Sequence, residues 1–198
     1  MAEHYFTKKP TSVLKTNTVS FSFSGKSLIF TCVSGVFSSH HIDFATALLL
    51  EHAELHNEWD VLDIGCGIGV IGISIKKAFP ESRVVMIDIN ERALAISKKN
   101  VAKNHVTVEI LDSDLYAKLS GKQFDTIISN PPHHAGRELV YKLIEQAPVY
   151  LKTNGTLQIV AKHNKGGAML EKKMKEIFGN VIILGKRAGF RVYCSKKV

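Results

Sequence analysis

The chain has 198 residues, of which 45% are hydrophobic, so it can bury one sizeable core, and we expect one domain over residues 1–198. No apolar run reaches the roughly 18 residues of a membrane span, and the first ten residues lack the apolar region of a secretory signal, which predicts a cytoplasmic protein without membrane contact. The net charge of +8 is concentrated in residues 162–198, which hold ten Lys or Arg against two Glu. Such a run is typical of a solvated face or of a surface that binds a polyanion.

The predicted elements begin with a polar leader and a β-hairpin, in which "VSFSF" and "SLIFTCV" flank Ser24–Lys26. We assign residues 1–40 to this part and residues 41–198 to the core of the domain, which opens with a helix in "IDFATALLLEHAEL". Strands and helices then alternate along the chain: "WDVLDI", Val70–Phe79, "RVVMIDI", Glu91–Ala102, "VTVEIL", "FDTIIS", Glu138–Leu151, "TLQIVA" and Gly167–Phe178. Asn154 and Gly155 predict the stop of the helix before them, and "NVIILG" and "FRVYCS" predict an antiparallel pair around residues 185–189.

This alternation fixes the predicted fold class. Parallel strands require crossover connections, so strands that alternate with helices of ten or more residues predict a parallel sheet covered on both faces. The predicted fold is therefore α/β, with a doubly wound, mostly parallel sheet of seven strands, an antiparallel C-terminal hairpin and an N-terminal β-hairpin.

The stretch "VLDIGCGIGVIG" places Gly65, Gly67, Gly69 and Gly72 between a predicted strand and a predicted helix. Glycines there allow a sharp turn and let a ligand approach the start of the helix without a Cβ in the way. Three of them match the G-x-G-x-x-G spacing of dinucleotide-binding loops, which is weak evidence when it stands alone.

Two acids indicate a different cofactor. Asp63 lies two residues before Gly65, where a carboxylate would repel a pyrophosphate but suits the ammonium group of an amino acid. Asp88 ends the next strand, and its two oxygens can accept hydrogen bonds from both hydroxyls of a ribose. A cofactor with a ribose, a cationic amino-acid end and no phosphate fits both acids, and S-adenosylmethionine meets that description.

With these motifs the chain resembles the class I S-adenosylmethionine-dependent methyltransferases, whose first motif is D-x-G-x-G-x-G and whose second ends a strand in an acid. In that family an acid after the third strand contacts the adenine amino group, so Asp114 is the candidate, with Asp112 or Ser113 beside it and a helix cap as the alternative role. Cys66 has no activating neighbour in the sequence, and methyl transfer needs no thiolate. The resemblance implies a cofactor site formed by Asp63, Gly65, Cys66, Gly67, Gly69, Asp88, Ile89, Asp114, Phe37 and Asn130.

The stretch "SNPPHHAG" ends the apolar strand that precedes it, because tandem proline removes two donors and fixes two φ angles. Amino-methyltransferases that resemble this chain carry Asn-Pro-Pro at this place, facing the methyl donor. An exocyclic amine on a base is a poor nucleophile, since its lone pair is delocalised into the ring. The side-chain oxygen of Asn130 and the carbonyl of Pro131 can accept its two hydrogens and favour the pyramidal transition state, while Pro132 keeps the segment rigid.

His133 follows the two prolines, where the resembling family usually has an aromatic residue that stacks on the target base. Imidazole can stack in the same way, and the alternative is an exposed loop histidine. Metal binding is not indicated, because adjacent histidines rarely bind one metal and no complementary ligand spacing exists elsewhere in the sequence. The catalytic candidates are therefore Asn130, Pro131, Pro132 and His133, and no metal is expected.

The segments "MAEHYF", "SGVFS", "ID" at Ile42 and Asp43, and "GFRVYCSKK" look, together with the hairpin, like the guanine-N2 methyltransferases of small-subunit ribosomal RNA, and most like their short archaeal relatives. This resemblance implies an RNA substrate, as ribosomal RNA or its particle, and we expect a monomer with a homodimer as the alternative. Basic residues of the C-terminal segment would contact phosphates: Lys162, Lys165, Lys172, Lys173, Lys186, Arg187 and Arg191.

Other functions remain open at this point. A protein methyltransferase that acts on the side-chain amide of glutamine also uses Asn-Pro-Pro, although the next residue there is usually Tyr and here is His133. A DNA adenine methyltransferase would need a target-recognition insertion for which the chain offers little room. A nicotinamide-binding oxidoreductase, or an RNA-binding module without chemistry, would share the fold but not the use of the two acids.

Overall fold

The computed structural model describes residues 16–33, 42–131 and 136–198. The strands within these ranges are β1 (Thr16–Phe23), β2 (Lys26–Val33), β3 (Asp60–Ile64), β4 (Arg83–Asp88), β5 (Glu109–Asp112), β6 (Phe124–Ser129), β7 (Leu151–Lys162), β8 (Ile182–Arg187) and β9 (Phe190–Lys196). The helices are α1 (Phe44–His52), α2 (Val70–Ala78), α3 (Glu91–Lys103), α4 (Arg137–Tyr150) and α5 (Gly167–Phe178). Among these described helices, none combines the length and the apolar character that crossing a bilayer requires.

Seven strands form one sheet in the order β5-β4-β3-β6-β7-β9-β8, and β1 and β2 form a separate antiparallel hairpin. Strands β3 to β7 are mutually parallel where they pair, whereas β9 runs antiparallel to both β7 and β8. The predicted fold class is confirmed, including both hairpins. The order of the strands along the chain reverses direction between β3 and β6. Open α/β sheets bind ligands at such a switch point, at the carboxyl ends of the strands.

The sheet is covered on both faces by separate apolar clusters. The hairpin, α1, α2 and α3 pack on one face, and α4 and α5 pack on the other. Neighbouring residues of β4 show the alternation, since Met86 belongs to the first cluster and Ile87 to the second, and both are fully buried. A sheet buried on both faces explains why its strands read as nearly continuous apolar runs.

The hairpin is attached to α3 through two asparagines one helical turn apart. The side chain of Asn100 accepts from the backbone N–H of Thr31 at 2.7 Å and donates to its carbonyl at 3.1 Å. The side chain of Asn104 makes the same pair of bonds with Ile29, each at 2.9 Å. The two side-chain amides therefore pair with the backbone N–H and carbonyl groups of Ile29 and Thr31, as a neighbouring strand would at the edge of β2.

One sequence prediction, the helix stop at Asn154 and Gly155, is wrong. Helix α4 ends at Tyr150 and β7 begins directly at Leu151, so the two residues lie inside a strand. Asn154 has a φ of 65° and its N–H donates to the carbonyl of Lys197 at 3.0 Å, while a Cβ on Gly155 would lie 3.0 Å from two carbonyl oxygens. Asn154 and Gly155 lie beside the register shift between β6 and β7. A bulge of this kind favours the same residue types as a helix stop.

Two other boundaries differ from the sequence prediction. The strand expected over "VTVEIL" begins only at Glu109. The last hairpin turns at Ala188 and Gly189, with φ values of 50° and 80°, so β8 continues through Gly185 to Arg187. Two central residues with positive φ form the tight connection that matches the twist of paired strands.

Candidate active site

The loop between β3 and α2 has three glycines in the left-handed region, with φ values of 70° at Gly65, 56° at Gly67 and 89° at Gly69. The N–H groups of Gly65 and Cys66 both donate to the carbonyl of Ile87 at 2.9 Å, which fixes the loop against the end of β4. Gly65 lines a cavity at the carboxyl ends of β3, β4 and β6. A Cβ added to Gly65 would meet no atom within 4 Å. The missing side chain therefore leaves space for a ligand at the start of α2.

Asp63 lies beneath this loop with no exposed surface. Its Oδ2 accepts from the N–H of Gly72 at 2.9 Å, and its Oδ1 is buried without a partner among the described residues. Burial, with a further contribution from the nearby Asp88, raises the pKa of Asp63 to about 7. A buried carboxylate oxygen without a donor is costly, so this position fits a cationic ligand group next to the loop.

Asp88 ends β4 and lines the same cavity. Its Oδ2 accepts from the N–H of Gly67 and its Oδ1 from the N–H of Asn90, both at 2.8 Å. Burial raises the pKa of Asp88, while these backbone donors oppose that shift. The N–H of Ile89 also acts on this carboxylate. Contact of Asp88 with two ribose hydroxyls remains a prediction.

The cavity that Gly65 and Asp88 line lies at the carboxyl ends of β3, β4 and β6. Its walls are mostly apolar, and acids stand at Asp88 and at the exposed Asp114. The cavity is lined by Ile64, Gly65, Ile87, Asp88, Ile89, Ser113, Asp114, Leu115, Ser129, Pro131, Leu139, Val140 and Leu143. An apolar slot between two acceptors suits an adenosine group, whose ribose hydroxyls and adenine amine both donate hydrogen bonds.

Three predicted cofactor residues take different places in this geometry. Ser113 donates its hydroxyl to the carbonyl of Leu115 at 2.8 Å. Asp114 lines the cavity and Asp112 does not, and the contact of Asp114 with an adenine amine remains a prediction. Asp63 and Cys66 are not among the cavity walls. Burial raises the pKa of the Cys66 thiol well above its usual value, and the thiol bonds weakly to the carbonyl of Gly67 at 3.8 Å, so it has no thiolate character.

Asn130 follows the last residue of β6, and its amide nitrogen is held by two acceptors from α1. Its Nδ2 donates to Oδ2 of Asp43 and to Oγ1 of Thr46, each at 2.9 Å. Asp43 is also the N-cap of α1, where the same oxygen accepts from the N–H of Thr46 at 3.2 Å. Because a carboxylate attracts the NH₂ and repels the carbonyl end of an amide, these contacts fix the orientation of Asn130.

This arrangement leaves Oδ1 of Asn130 as its acceptor, and no described residue donates to that oxygen. The neighbouring Pro131 lines the cavity. Pro132, His133 and Phe37 lie outside the described residues, so their roles remain predictions. The part played by Asp43 and Thr46 was not predicted from the sequence, although an Asp three residues before a Thr at the start of a helical pattern is a signal for an N-cap.

The predicted RNA-contacting residues differ in how free their charges are. Arg187 pairs with Glu51 at 2.8 Å and Arg191 with Glu171 at 3.6 Å. Lys173 pairs with two glutamates, at 2.7 and 3.0 Å, so it is a poor candidate for a phosphate contact. Among the described residues, no ion-pair partner lies near Lys162, Lys165 or Lys186, and Lys162 instead lies 5.7 Å from the ring centroid of Phe190.

Comparison with known sequences identifies relatives along nearly the whole chain. The family model for the methyltransferase small domain matches residues 27–194. A Bacillus subtilis protein, named uncharacterized protein YbxB, is 37% identical over 201 aligned residues and covers 100% of both chains. The ribosomal RNA small subunit methyltransferase C of Actinobacillus succinogenes is 41% identical over 165 residues, which are 80% of this chain and 48% of that protein. The chain therefore spans about half the length of its relatives with that name.

Solved structures with the same fold include a Thermus thermophilus 16S rRNA N2 methyltransferase in complex with AdoMet and guanosine, with a TM-score of 0.81 and 24% identity, over 95% of this chain and 52% of that chain. A methyltransferase from Pyrococcus furiosus has a TM-score of 0.68 and 19% identity, over 83% of this chain and 90% of that chain. At these identities the likeness shows the fold. The sequence matches show more: this chain belongs to the methyltransferase small domain family, whose cofactor is S-adenosylmethionine.

Proposed function

We propose that this protein transfers a methyl group to the exocyclic N2 of guanine in small-subunit ribosomal RNA. One observation carries the proposal: the amide of Asn130 is held by Asp43 and Thr46 with its nitrogen turned away and its oxygen left to accept. An acceptor fixed in this way, beside the carbonyl of Pro131, suits a substrate group that donates two hydrogens. An aromatic exocyclic amine has two such hydrogens.

The bound cofactor would supply an electrophilic methyl group and would leave as S-adenosylhomocysteine, while the methylated amine would lose one of its two hydrogens as a proton to water. The chain would supply the geometry and the charge that make the amine a nucleophile. Oδ1 of Asn130 and the carbonyl of Pro131 accept the two N–H hydrogens, which favours the pyramidal nitrogen of the transition state over the planar ground state. Because Asp43 and Thr46 hold the amide before substrate arrives, little reorganisation is needed when charge develops on the nitrogen.

The cofactor side of the site would be formed by the cavity walls. Asp88 would accept from the ribose and Asp114 from the adenine amine, while Ile89, Leu115 and Leu139 provide the apolar walls that exclude water. The orphaned Oδ1 of Asp63 favours a cationic group near the glycine loop. These features together match a nucleoside joined to a cationic amino acid, and they do not provide donors for a pyrophosphate.

The choice of ribosomal RNA is supported by the relatives and by charge. Relatives that are about 40% identical to this chain over most of its length are named as ribosomal RNA small subunit methyltransferases. Lys162, Lys165 and Lys186 provide cations without ion-pair partners among the described residues. The second candidate is methylation of a glutamine side-chain amide, because a primary amide also presents two hydrogens to the acceptors of Asn130 and Pro131.

The decisive experiment compares ribosomal RNA from cells with and without this gene by nucleoside mass spectrometry. We expect one N2-methylguanosine of the small subunit to be absent from the deletion strain and to return when the purified protein and S-adenosylmethionine are added. Unchanged ribosomal RNA, accompanied by the loss of a methylated glutamine in a protein, would replace the RNA substrate with the protein substrate.

A further inference from the structure

A second cavity adjoins the cofactor cavity. Pro131 and Val140 line both cavities, so the two meet at the residue whose carbonyl we place against the target amine. The second cavity lies between the first turns of α4 and α5 and the end of β7. It is lined by Pro131, Gly136, Arg137, Val140, Tyr141, Ala161, Lys165, Gly166, Met169 and Leu170.

The walls of this cavity combine an apolar surface with two cations. Tyr141 and Met169 lie beside buried aliphatic residues, and Met169 is 40% exposed, although methionine is usually covered. Nζ of Lys173 lies 5.5 Å from the centroid of the Tyr141 ring, so a base would use the part of this ring that faces the cavity. Arg137 and Lys165 are both exposed, and no described residue forms an ion pair with either of them. The nearest acid along the chain is Glu138, which is not among the walls of this cavity.

We propose that this second cavity binds the nucleotide next to the target in an RNA strand. Its base lies against Tyr141 and Met169, and the phosphates on either side lie against Arg137 and Lys165. Apolar walls beside an aromatic ring suit a base, because every base can stack, and the exposed cations Arg137 and Lys165 suit the phosphate backbone. The proposal rests on the proposed RNA substrate and extends it, because the acceptor must then be a polynucleotide instead of a free nucleoside.

The test measures binding of small-subunit ribosomal RNA, extracted from cells that lack this gene, to the full-length protein over a range of salt concentrations. The variant is Arg137→Ala with Lys165→Ala. The matched control is Lys98→Ala with Lys99→Ala, which removes the same charge from exposed positions of α3, a helix that packs at the opposite end of the sheet. Calorimetric affinity for S-adenosylhomocysteine reports whether each variant keeps its fold and its cofactor cavity.

We expect the test variant to bind the RNA about 20-fold more weakly at 0.1 M salt, because each lost phosphate contact on a single strand removes about 0.7 from the salt exponent. The slope of log affinity against log salt should therefore fall by about 1.4, while the control changes little and both variants keep their affinity for S-adenosylhomocysteine.

Wild-type affinity and slope in the test variant, with a wild-type enzyme that methylates the same RNA, would overturn the second cavity as a nucleotide site and leave the proposed function intact. A loss of equal size in the control variant would also overturn it, since the effect would then come from net charge alone. Failure of the wild-type protein to methylate this RNA, with methylation of a glutamine-containing protein instead, would overturn both proposals together.

Discussion

The contacts of Asn130 with α1 allow a sharp test of its proposed role. We expect Asn130→Ala to lower kcat about a hundredfold, because one positioned partner of the transition state is worth about 3 kcal/mol. Asp43→Asn is a milder change, since asparagine caps a helix as well as aspartate and can still accept from Asn130. It replaces a charge-assisted bond of 2.9 Å with a neutral one, a difference of about 1 kcal/mol, so we expect a fall in kcat of about fivefold.

The assay is single-turnover transfer of a radiolabelled methyl group to ribosomal RNA, at saturating RNA and cofactor. Calorimetry with S-adenosylhomocysteine and urea denaturation should show unchanged cofactor affinity and nearly unchanged stability for Asp43→Asn, because the cap is kept. The matched control is Glu81→Gln, which removes one negative charge from an exposed position before β4 and should leave kcat within about twofold.

A double-mutant cycle decides whether Asp43 acts through Asn130. If it does, Asp43→Asn has no further effect once Asn130 is alanine, because the group that it positions is gone. Independent effects that multiply in the double variant would refute the reasoning, and Asp43 would then act on the rate by another route, such as the placement of α1.

Three further predictions concern the cofactor loop and its supports. The pKa of Asp63 is raised from 3.8 to about 7, so the carboxyl group of the ligand-free protein is protonated below pH 7. A cationic ligand binds the carboxylate form better than the protonated form. The calorimetric affinity for S-adenosylhomocysteine should therefore rise by up to about tenfold per pH unit below pH 7 and level off above it. Asp63→Asn should remove most of this dependence, and an unchanged slope would contradict the role of Asp63. Gly72→Ala should lower the free energy of unfolding in urea by about 1–2 kcal/mol despite its better helix propensity, because the new Cβ would lie 2.5 Å from Sδ of Met86. Asn100→Ala should weaken cofactor binding and lower stability by about 1–3 kcal/mol, since it leaves buried backbone groups of the hairpin and the loop without partners; normal cofactor affinity at reduced stability would limit Asn100 to a structural role.

Local patterns in the sequence predicted the parallel sheet well. Alternating strands and helices require a crossover topology. Glycines spaced as in "GCGIG" are rare in a regular strand or helix, so the sequence alone predicted the loop and the two acids beside it. The end of β6 at Asn130 followed from tandem proline in the same way. Each of these predictions uses residues that are neighbours in the chain.

Long-range partners could not be predicted in that way. The bond between Asp43 and Asn130 joins residues 87 positions apart, and the ion pair between Arg187 and Glu51 joins residues 136 apart. The run of ten cations in residues 162–198 therefore overstated the free positive charge, because Glu51 and Glu145, which lie outside this run, pair with Arg187 and Lys173. The predicted helix stop at Asn154 was wrong for a different reason, since a bulge inside a strand and a helix stop both favour Asn-Gly.

The cofactor loop and Asn130 are both held by side chains from outside the parallel sheet. Asn100 donates to the carbonyl of Ile68 in the glycine loop at 3.0 Å while it binds the edge of β2, so the hairpin and the cofactor loop share one buried side chain. Helix α1 holds Asn130 in the same indirect manner. The elements that precede β3 are thus coupled to cofactor and acceptor separately, through Asn100 and Asp43. If this is so, Asn100→Ala should change cofactor affinity more than kcat, and Asp43→Asn should change kcat more than cofactor affinity, because Asn100 and Asp43 position different partners of the reaction.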